Sequence, residues 1–320
     1  MADIELEIAT FDNFNEANYL RANPDVARHV QAGGDAFTHF RRHGQKEQRK
    51  QIRPSPEERV RRGERRYERF RHLLDPACGA GGDFRFLDMP SIFPILYGLK
   101  ALDLSLYEGE SANCGFGPFI DDMRANPDKL YMDIGCGRRE RIEPNCLYLD
   151  VYRSVSADIV MEPACRYPIA SSMLDGIGCF AVLEHVTRPW EVAREFHRML
   201  KPGGKLFIDW PFLQPVHGYP SHYYNATREG LRTMFADGFD VAELRTFDNQ
   251  TPDHMVSWIL HDLIDSVTDP ALRAQVLDMS LGALLAERPG GAFWQQILAH
   301  LPPACIERLA CGNTLVATKI

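Results

Sequence analysis

The segment from Leu130 to Gly137 constrains the fold more than any other part of the chain. It is an apolar run that stops at two closely spaced glycines, Gly135 and Gly137. Such a run predicts a buried strand entering a tight turn, where the missing Cβ atoms let the backbone approach a ligand. A second apolar run ends at Asp150, thirteen residues after Gly137. Two strands ending side by side predict a nucleoside-binding crevice, in which an ionised carboxylate can accept both hydroxyls of a ribose.

The residues after the second glycine indicate which kind of nucleoside cofactor would fit. A dinucleotide fingerprint needs a third glycine at the start of a helix, whose N-terminus meets the pyrophosphate. Here Gly137 is followed by three arginines within residues 138–141 and soon by Pro144, so only a very short helix fits. This favours a cofactor without phosphate, such as S-adenosylmethionine.

The following segments predict three more strands and a helix. Residues 157–162 and 175–180 form two apolar runs, and residues 205–209 form another. Between the last two, apolar residues recur at helical spacing from about Pro189 to Leu200, and a Lys-Pro-Gly-Gly sequence then ends the helix. Alternating strands and helices of this length predict a parallel sheet with right-handed crossovers.

These segments together resemble the class I S-adenosylmethionine-dependent methyltransferases, over about residues 128–250 and a last strand near 313–319. The matching motifs are Asp133-Ile134-Gly135-Cys136-Gly137, Asp150, Glu162, Leu183-Glu184-His185-Val186 and Leu200-Lys201-Pro202-Gly203-Gly204. The resemblance implies an α/β fold with a doubly wound, mostly parallel seven-stranded sheet in a methyltransferase domain over 128–320. Residues 239–247 would be its sixth strand.

The same resemblance implies S-adenosylmethionine as the cofactor and a role for each matched residue. Gly135 and Gly137 would lie under the cofactor, with Asp133 near its amino-acid end, and Asp150 would bind the ribose hydroxyls. The other expected contacts are Glu162 and Pro163 beside the adenine, Phe180 on the methionine side, and the turn residues Cys136 and Val151.

Residues 1–52 predict a small all-α module of three helices with its own core. The pattern Tyr19-Leu20-Arg21-Ala22-Asn23-Pro24-Asp25-Val26-Ala27, followed by Gly33, His39-Phe40 and Gly44, resembles a short helical module appended to bacterial glycosyltransferases and surface-associated proteins. No obvious catalytic group lies in it, which favours attachment or packing. The expected core residues are Phe11, Phe14, Tyr19, Leu20, Val26, Val30, Phe37 and Phe40.

Residues 53–127 predict a basic helix followed by a linker or lid region. Between Arg41 and Arg71 the chain has 13 Lys and Arg residues against 5 Glu residues. A solvated helix with mixed charges is favoured over a surface for nucleic acid, anionic lipid or acidic glycan. A glycine-rich stretch at 74–82 looks like a cofactor loop of DNA adenine methyltransferases, but no β-branched strand precedes it, which favours a linker.

The acceptor side is expected in the loop of residues 210–227, which follows the fifth predicted strand. It contains three prolines, three tyrosines and two histidines. If the acceptor is a hydroxyl, His217 is the first candidate for a general base and His222 the second, although both could serve only to shape the loop. His185 is expected only to pack. Residues 253–301 predict a helical insertion that could cover the acceptor or form a homodimer contact.

Composition and remaining motifs limit the partners. No Cys-x-x-Cys pair occurs among eight cysteines, so neither a zinc nor a disulfide framework is expected, and no metal ligands are assigned. No secretory signal and no membrane span are evident, which favours the cytoplasm. The predicted activity is methyl transfer to a small molecule or glycan. The alternatives are a non-catalytic cofactor-binding or scaffold protein and, more weakly, a nucleic-acid methyltransferase.

Overall fold

The computed structural model describes residues 6–10, 14–53, 55–75, 84–104, 116–139, 141–163, 166–312, 314–315 and 318. The chain divides into two compact units. The first comprises Met1–Leu183 and Arg188–Asp209, and the second comprises Glu184–Thr187 and Trp210–Ile320.

The N-terminal module belongs to the first unit, and its predicted helices are confirmed. They are α1 (Glu16–Ala22), α2 (Pro24–Gln31) and α3 (Ala36–His39), which continues as a π-helical turn over Phe40–Gly44. A ribbon of two antiparallel strands, β1 (Leu6–Ile8) and β2 (Lys50–Ile52), closes the module and was not predicted. The expected core residues pack together, apart from Phe11, which lies outside the described residues.

Helix α4 (Pro56–Phe70) is the predicted basic helix, and it begins at a capping box formed by Ser55 and Glu58. The prediction of a purely solvated helix is wrong for Arg66, which is only 9% exposed. Its Nε and Nη2 atoms donate to the two carboxylate oxygens of Asp158, at 2.6 and 2.5 Å, and Nη2 also donates to the carbonyl oxygen of Cys146. This bidentate pair fixes the helix to the strands of the main sheet.

The main sheet of the first unit contains seven strands, of which the first along the chain is antiparallel and the other six are parallel to one another. They are β3 (Phe84–Phe86), β4 (Ile95–Tyr97), β5 (Tyr131–Ile134), β6 (Cys146–Asp150), β7 (Ile159–Met161), β8 (Leu174–Phe180) and β9 (Leu200–Asp209). Their order across the sheet is β3-β4-β7-β6-β5-β8-β9. The order reverses between β5 and β8, and this switch point is where doubly wound sheets bind ligands.

The predicted seven-stranded, mostly parallel sheet is confirmed, but two of its strands come from an unexpected part of the chain. β3 and β4 lie within the region predicted as linker or lid and extend the β7 edge. Residues 239–247, predicted as a strand, form none, so that prediction is wrong. Five residues from 313 onward, and the glycine-rich residues 76–82, lie outside the described residues. The described Thr314, Leu315 and Thr318 are not in a strand.

Two further helices belong to the first unit: α5 (Gly117–Ala125), which leads towards β5, and α6 (Pro189–Met199), which connects β8 to β9. The described residues between β5 and β6 contain no helix, which agrees with the short connection expected there.

The second unit is helical in its described part. The predicted helical insertion over 253–301 is confirmed as a series of short helices around a core that includes Leu272, Val276 and Ile297. The helices are α7 (Arg228–Phe235), α8 (Pro252–Asp265), α9 (Pro270–Asp278), α10 (Leu281–Ala286), α11 (Ala292–Ala299) and α12 (Pro303–Arg308). None of the helices in the described part of the chain combines the length and the apolar composition that a membrane crossing requires.

Candidate cofactor crevice and histidine cluster

The turn after β5 depends on glycine for two separate reasons. Gly135 and Gly137 have φ angles of +67° and +52°, in the region that L side chains rarely adopt. A Cβ atom on Gly135 would also lie 2.2 Å from Cγ2 of Val182. The turn therefore requires glycine because of its backbone conformation and because the chain after β8 lies against it.

Asp150, at the end of β6, connects the two strand ends. The Gly137 N–H donates to its Oδ2 atom at 2.6 Å, and the Val151 N–H donates to its Oδ1 atom at 2.7 Å. The residue is 5% exposed. Burial raises the pKa of the carboxyl to about 6, although these two backbone hydrogen bonds act in the opposite direction. The predicted pairing of the glycine turn with an acidic strand end is thus present in the structure.

Asp133 forms a buried ion pair instead of lying free in the turn. Arg139 donates to both of its carboxylate oxygens, from Nε at 2.6 Å and from Nη2 at 2.9 Å. The burial and the Asp133 carboxylate together determine the pKa of Arg139, and the carboxylate's effect prevails, so that pKa is raised. Both side chains line a cavity of about 170 Å³ that α5 and the N-terminal module also border. Cys136, between the two glycines, is fully buried, and burial raises the pKa of its thiol.

The other predicted cofactor contacts have varied surroundings. An oxygen of Glu162 accepts the Leu99 N–H at 2.8 Å, so this side chain fixes the turn that follows β4. Pro163 is exposed, and the carbonyl oxygen of Val151 accepts the Leu102 N–H at 2.7 Å. Phe180 is buried, with its ring 5.5 Å from that of Phe119. The assigned roles of these residues in cofactor binding stay predictions.

The predicted histidines of the second unit lie together with a third that was expected only to pack. The ring centroid of His185 is 5.5 Å from that of His217 and 5.6 Å from that of His222. Glu184 is fully buried, and its Oε1 atom lies 3.7 Å from Nε2 of His185. Burial lowers the pKa of His185 and of His217, and the neighbouring imidazoles lower both further.

Hydrogen bonds fix the orientation of the three rings. Nδ1 of His185 lies 2.9 Å from the carbonyl oxygen of Ser221, and Nδ1 of His217 lies 2.8 Å from that of Pro215. A carbonyl oxygen can only accept, so both Nδ1 atoms are the donors. Nε2 of His222 is 2.8 Å from Oδ1 of Asn225.

The loop that carries His217 and His222 is held by its own backbone and by the segment 184–187. The Tyr223 N–H donates to the Glu184 carbonyl oxygen at 2.6 Å, and the Trp210 indole N–H donates to the Tyr224 carbonyl oxygen at 3.0 Å. Tyr219, Tyr223 and Tyr224 remain between 39% and 43% exposed. The loop therefore presents aromatic surface to solvent while its histidines are partly buried.

Two residues of these sites were missed by sequence reasoning. Arg139, the partner of Asp133, follows the glycine turn. Its position six residues after an acid in a predicted buried strand could have indicated the ion pair. His185 was expected only to pack, and its proximity to His217 brings together positions 32 residues apart. No local pattern encodes that contact.

A model of the methyltransferase domain family matches residues 114–208, which include β5 to β8 and nearly all of β9. This part of the chain matches a methyltransferase domain, and its strands lie in the doubly wound order β7-β6-β5-β8-β9. The match agrees with the predicted S-adenosylmethionine cofactor and the predicted class of enzyme. Resemblance of the N-terminal module to glycosyltransferase appendages stays a prediction.

The similarity to an individual protein extends over only part of the chain. A ubiquinone biosynthesis O-methyltransferase from Proteus mirabilis (strain HI4320) is 28% identical over 114 residues, which is 35% of this chain and 42% of the relative. The chain thus spans less than half the length of that relative.

Solved structures of methyltransferases show similarity over part of the chain. Phosphoethanolamine N-methyltransferase 2 from Haemonchus contortus, in complex with S-adenosyl-L-methionine, is 16% identical, with a TM-score of 0.32, over 58% of this chain and 50% of that one. An S-adenosylmethionine-dependent methyltransferase from Mesorhizobium loti is 14% identical, with a TM-score of 0.29, over 47% of this chain and 86% of that one. Since both TM-scores are low, the fold assignment rests on the strand order and the family match.

Proposed function

We propose that this protein transfers a methyl group from S-adenosylmethionine to an oxygen of a small molecule or glycan. The observation that carries the proposal is the contact between Gly137 and Asp150, which joins the ends of β5 and β6 beside the switch point of the sheet. The match of residues 114–208 to the methyltransferase domain supports the same activity.

The chemistry of Asp150 suits a ribose. Each of its oxygens accepts one backbone N–H, and an ionised carboxylate has about four acceptor positions, so one position per oxygen is left for a hydroxyl. The glycines next to it leave the backbone without side chains where a nucleoside would approach. In this proposal Gly135, Gly137 and Asp150 bind the cofactor, while the neighbouring residues Asp133, Cys136 and Val151 hold the turns in shape.

Substitution of Asp150 tests the cofactor site. The Asp150→Ala variant removes charge-assisted hydrogen bonds, so we expect the affinity for S-adenosylhomocysteine to fall by about 1–3 kcal/mol in calorimetry. The matched control is Asp121→Ala, which removes an exposed carboxylate from α5 in the same unit. A folded wild-type chain that binds no cofactor, or equal binding by Asp150→Ala, would contradict the proposal.

The exposed aromatic residues of the loop support a sugar or other ring-bearing acceptor. Tyr219, Tyr223 and Tyr224 offer ring faces, and a methyl transfer chiefly requires that the acceptor atom be aligned in line with the sulfonium and that water be excluded. The O-methyltransferase name of the Proteus relative supports an oxygen acceptor. With a hydroxyl, His217 or His222 could take the proton.

A protein that binds the cofactor without turnover is the second candidate. Such a protein would bind the cofactor through the same Asp150 contacts as the enzyme, but it would not transfer the methyl group to an acceptor. Incubation with labelled S-adenosylmethionine and a panel of hydroxylated sugars separates the two, because only the enzyme would yield a labelled product. Nucleic-acid methylation is the weaker alternative, since Arg66 of the basic helix is committed to Asp158. The homodimer and the cytoplasmic location stay predictions.

A further inference from the structure

We propose that Glu184, His185 and His217 form a binding site for a divalent transition-metal ion in the second unit. This goes beyond the proposed methyl transfer, and it departs from the sequence prediction, which assigned no metal ligands. Among the described residues, these three form the one group of at least three His, Cys, Asp or Glu side chains placed to hold a metal ion.

The distances between the ligand atoms suit a site that closes on a metal. One carboxylate oxygen and one nitrogen from each imidazole lie within 4.8 Å of one another, and Oε1 of Glu184 lies 3.7 Å from Nε2 of His185. Zinc bonds of about 2.0–2.1 Å place tetrahedral ligands roughly 3.3 Å apart. The Glu184–His185 distance is thus a few tenths of an ångström longer than in a metal-bound site, and the site would contract when an ion binds.

The hydrogen bonds of the two imidazoles select the nitrogen that can bind a metal. His185 and His217 both donate Nδ1–H to a backbone carbonyl oxygen, those of Ser221 and Pro215. In the neutral ring the proton is then on Nδ1, and Nε2 keeps its lone pair. A metal-binding histidine almost always donates its other ring N–H to a carbonyl oxygen, carboxylate or water in this way. The outer contacts of the site are therefore already formed.

The burial of Glu184 also favours a cation at this position. The side chain is fully buried, and a buried carboxylate is costly unless it is paired or coordinates a metal. A metal ion shared by Glu184, His185 and His217 would supply a positive charge next to the Glu184 carboxylate. Two imidazoles and one carboxylate are a common ligand set for zinc and for non-haem iron.

The backbone holds the three side chains close to each other. Gly218 has a φ of +76°, and a Cβ atom there would lie 2.3 Å from Cε1 of the His185 ring. The Glu184 carbonyl oxygen accepts the Tyr223 N–H, so a main-chain hydrogen bond also joins the segment of Glu184 and His185 to the loop that carries His217. The loop residue next to His217 thus leaves room for His185 to approach.

The metal site and the general base compete for the same lone pair. Nε2 of His217 can take a proton from an acceptor or bind a metal ion, but not both at once. Our proposal assigns it to the metal. His222 then remains the candidate base of the loop. Its Nε2 donates to Oδ1 of Asn225, so the lone pair is on Nδ1, which accepts the His217 N–H at 3.4 Å.

Metal binding by the full-length chain tests the proposal directly. After treatment with a chelator, the protein is dialysed against Zn²⁺ and the bound metal is measured; Co²⁺ is used in parallel, because its visible absorption reports the ligand geometry. We expect one ion per chain. The His217→Ala, His185→Ala and Glu184→Gln variants should each lower the affinity more than the ~10–100-fold that loss of an outer hydrogen bond costs.

Two control variants address the other histidines. His261→Ala changes an exposed histidine of the same unit that lies on α8, and His39→Ala removes the middle ring of three neighbouring histidines in the N-terminal module. Both should bind the metal as the wild type does. Circular dichroism in the presence of chelator establishes that each variant is folded, and Glu184→Gln keeps the shape of the side chain. A folded wild type that binds less than one ion, or binding that only His39→Ala abolishes, would overturn the proposal.

Discussion

The cofactor crevice and the histidine cluster are built in opposite ways. In the crevice, the groups that shape the site are main-chain atoms at the ends of parallel strands: Gly137 and Val151 donate their N–H groups to Asp150. In the cluster, the functional groups are side chains of a long loop and of the turn after β8, and main-chain carbonyl oxygens orient the two rings of His185 and His217.

This difference in construction determines which kind of substitution each site tolerates. A crevice made by backbone depends on residues that have no side chain, so it is sensitive to added atoms at Gly135. A cluster made by side chains depends on which groups are present, so it is sensitive to removed atoms at Glu184 or His217. Substitution of Gly135 tests the first half of this distinction, and the metal-binding variants of Glu184 and His217 test the second.

The largest expected effect is the loss of cofactor binding in Gly135→Val. A branched side chain there would overlap Val182, and the positive φ would add strain of about 1–3 kcal/mol. The matched control is Gly203→Val, because Gly203 also has a positive φ, +79°, but no atom lies within 4 Å of its Cβ position. Calorimetry with S-adenosylhomocysteine should show the loss of binding only in Gly135→Val, whereas thermal melting should show a lower midpoint in both variants, because both positions have a positive φ, and a larger decrease in Gly135→Val. Equal losses in both would mean that strain, not the close approach of Val182, sets the requirement.

The same distinction explains what the sequence could predict. The glycine turn and Asp150 lie within sixteen residues, and the strand periodicity around them is a local signal, so the crevice was found. Strands β3 and β4 have three residues each and lie in the region that the sequence predicted as a linker or lid, so they were missed. Arg66 pairs with Asp158 across 92 positions, and its helix looks solvated from its charges alone. The contact of His185 with His217 likewise depends on tertiary structure.

The second prediction concerns pH, and its expected effect is about tenfold. The ribose hydroxyls need an ionised acceptor, and the pKa of Asp150 in the free protein is about 6. The affinity for S-adenosylhomocysteine should therefore be roughly ten times weaker at about pH 5 than at about pH 7. Asp150→Asn, which cannot ionise, should bind weakly and show little dependence on pH over that range. A wild-type affinity that is constant from pH 5 to 7 would argue against a ribose contact by this carboxylate.

The stability of the free protein should respond to this group in the opposite direction. The pKa of Asp150 is raised from its ordinary value of 3.8, so the folded chain holds a proton that the unfolded chain has already released. This contribution to stability is present below the unfolded value and is lost as the pH rises from 3.8 to about 6. Comparing the melting temperatures of wild type and Asp150→Asn across that window isolates the effect of this one carboxyl among the others.

The smallest expected effect is that of deleting residues 1–52, which tests whether the crevice depends on the N-terminal module. The described contacts across this boundary include ion pairs of Arg141 with Glu16, at 2.6 Å, and with Asp35, at 3.2 Å. All three side chains are about one third exposed or more, so each pair should contribute only about 0.2–1 kcal/mol.

Because the module has its own core, the shortened chain should fold and bind the cofactor within about twofold of the wild type. Asp35 and Phe37 line the cavity that contains Asp133 and Arg139, so the deletion also admits water to that buried pair. Arg141→Ala separates the two consequences, since it removes the ion pairs and leaves the module in place. The shortened chain could melt without cooperativity while Arg141→Ala melts normally. That result would mean that β5 is stabilised by the packing of the module beside Asp133 and Arg139, and not by the module's ion pairs.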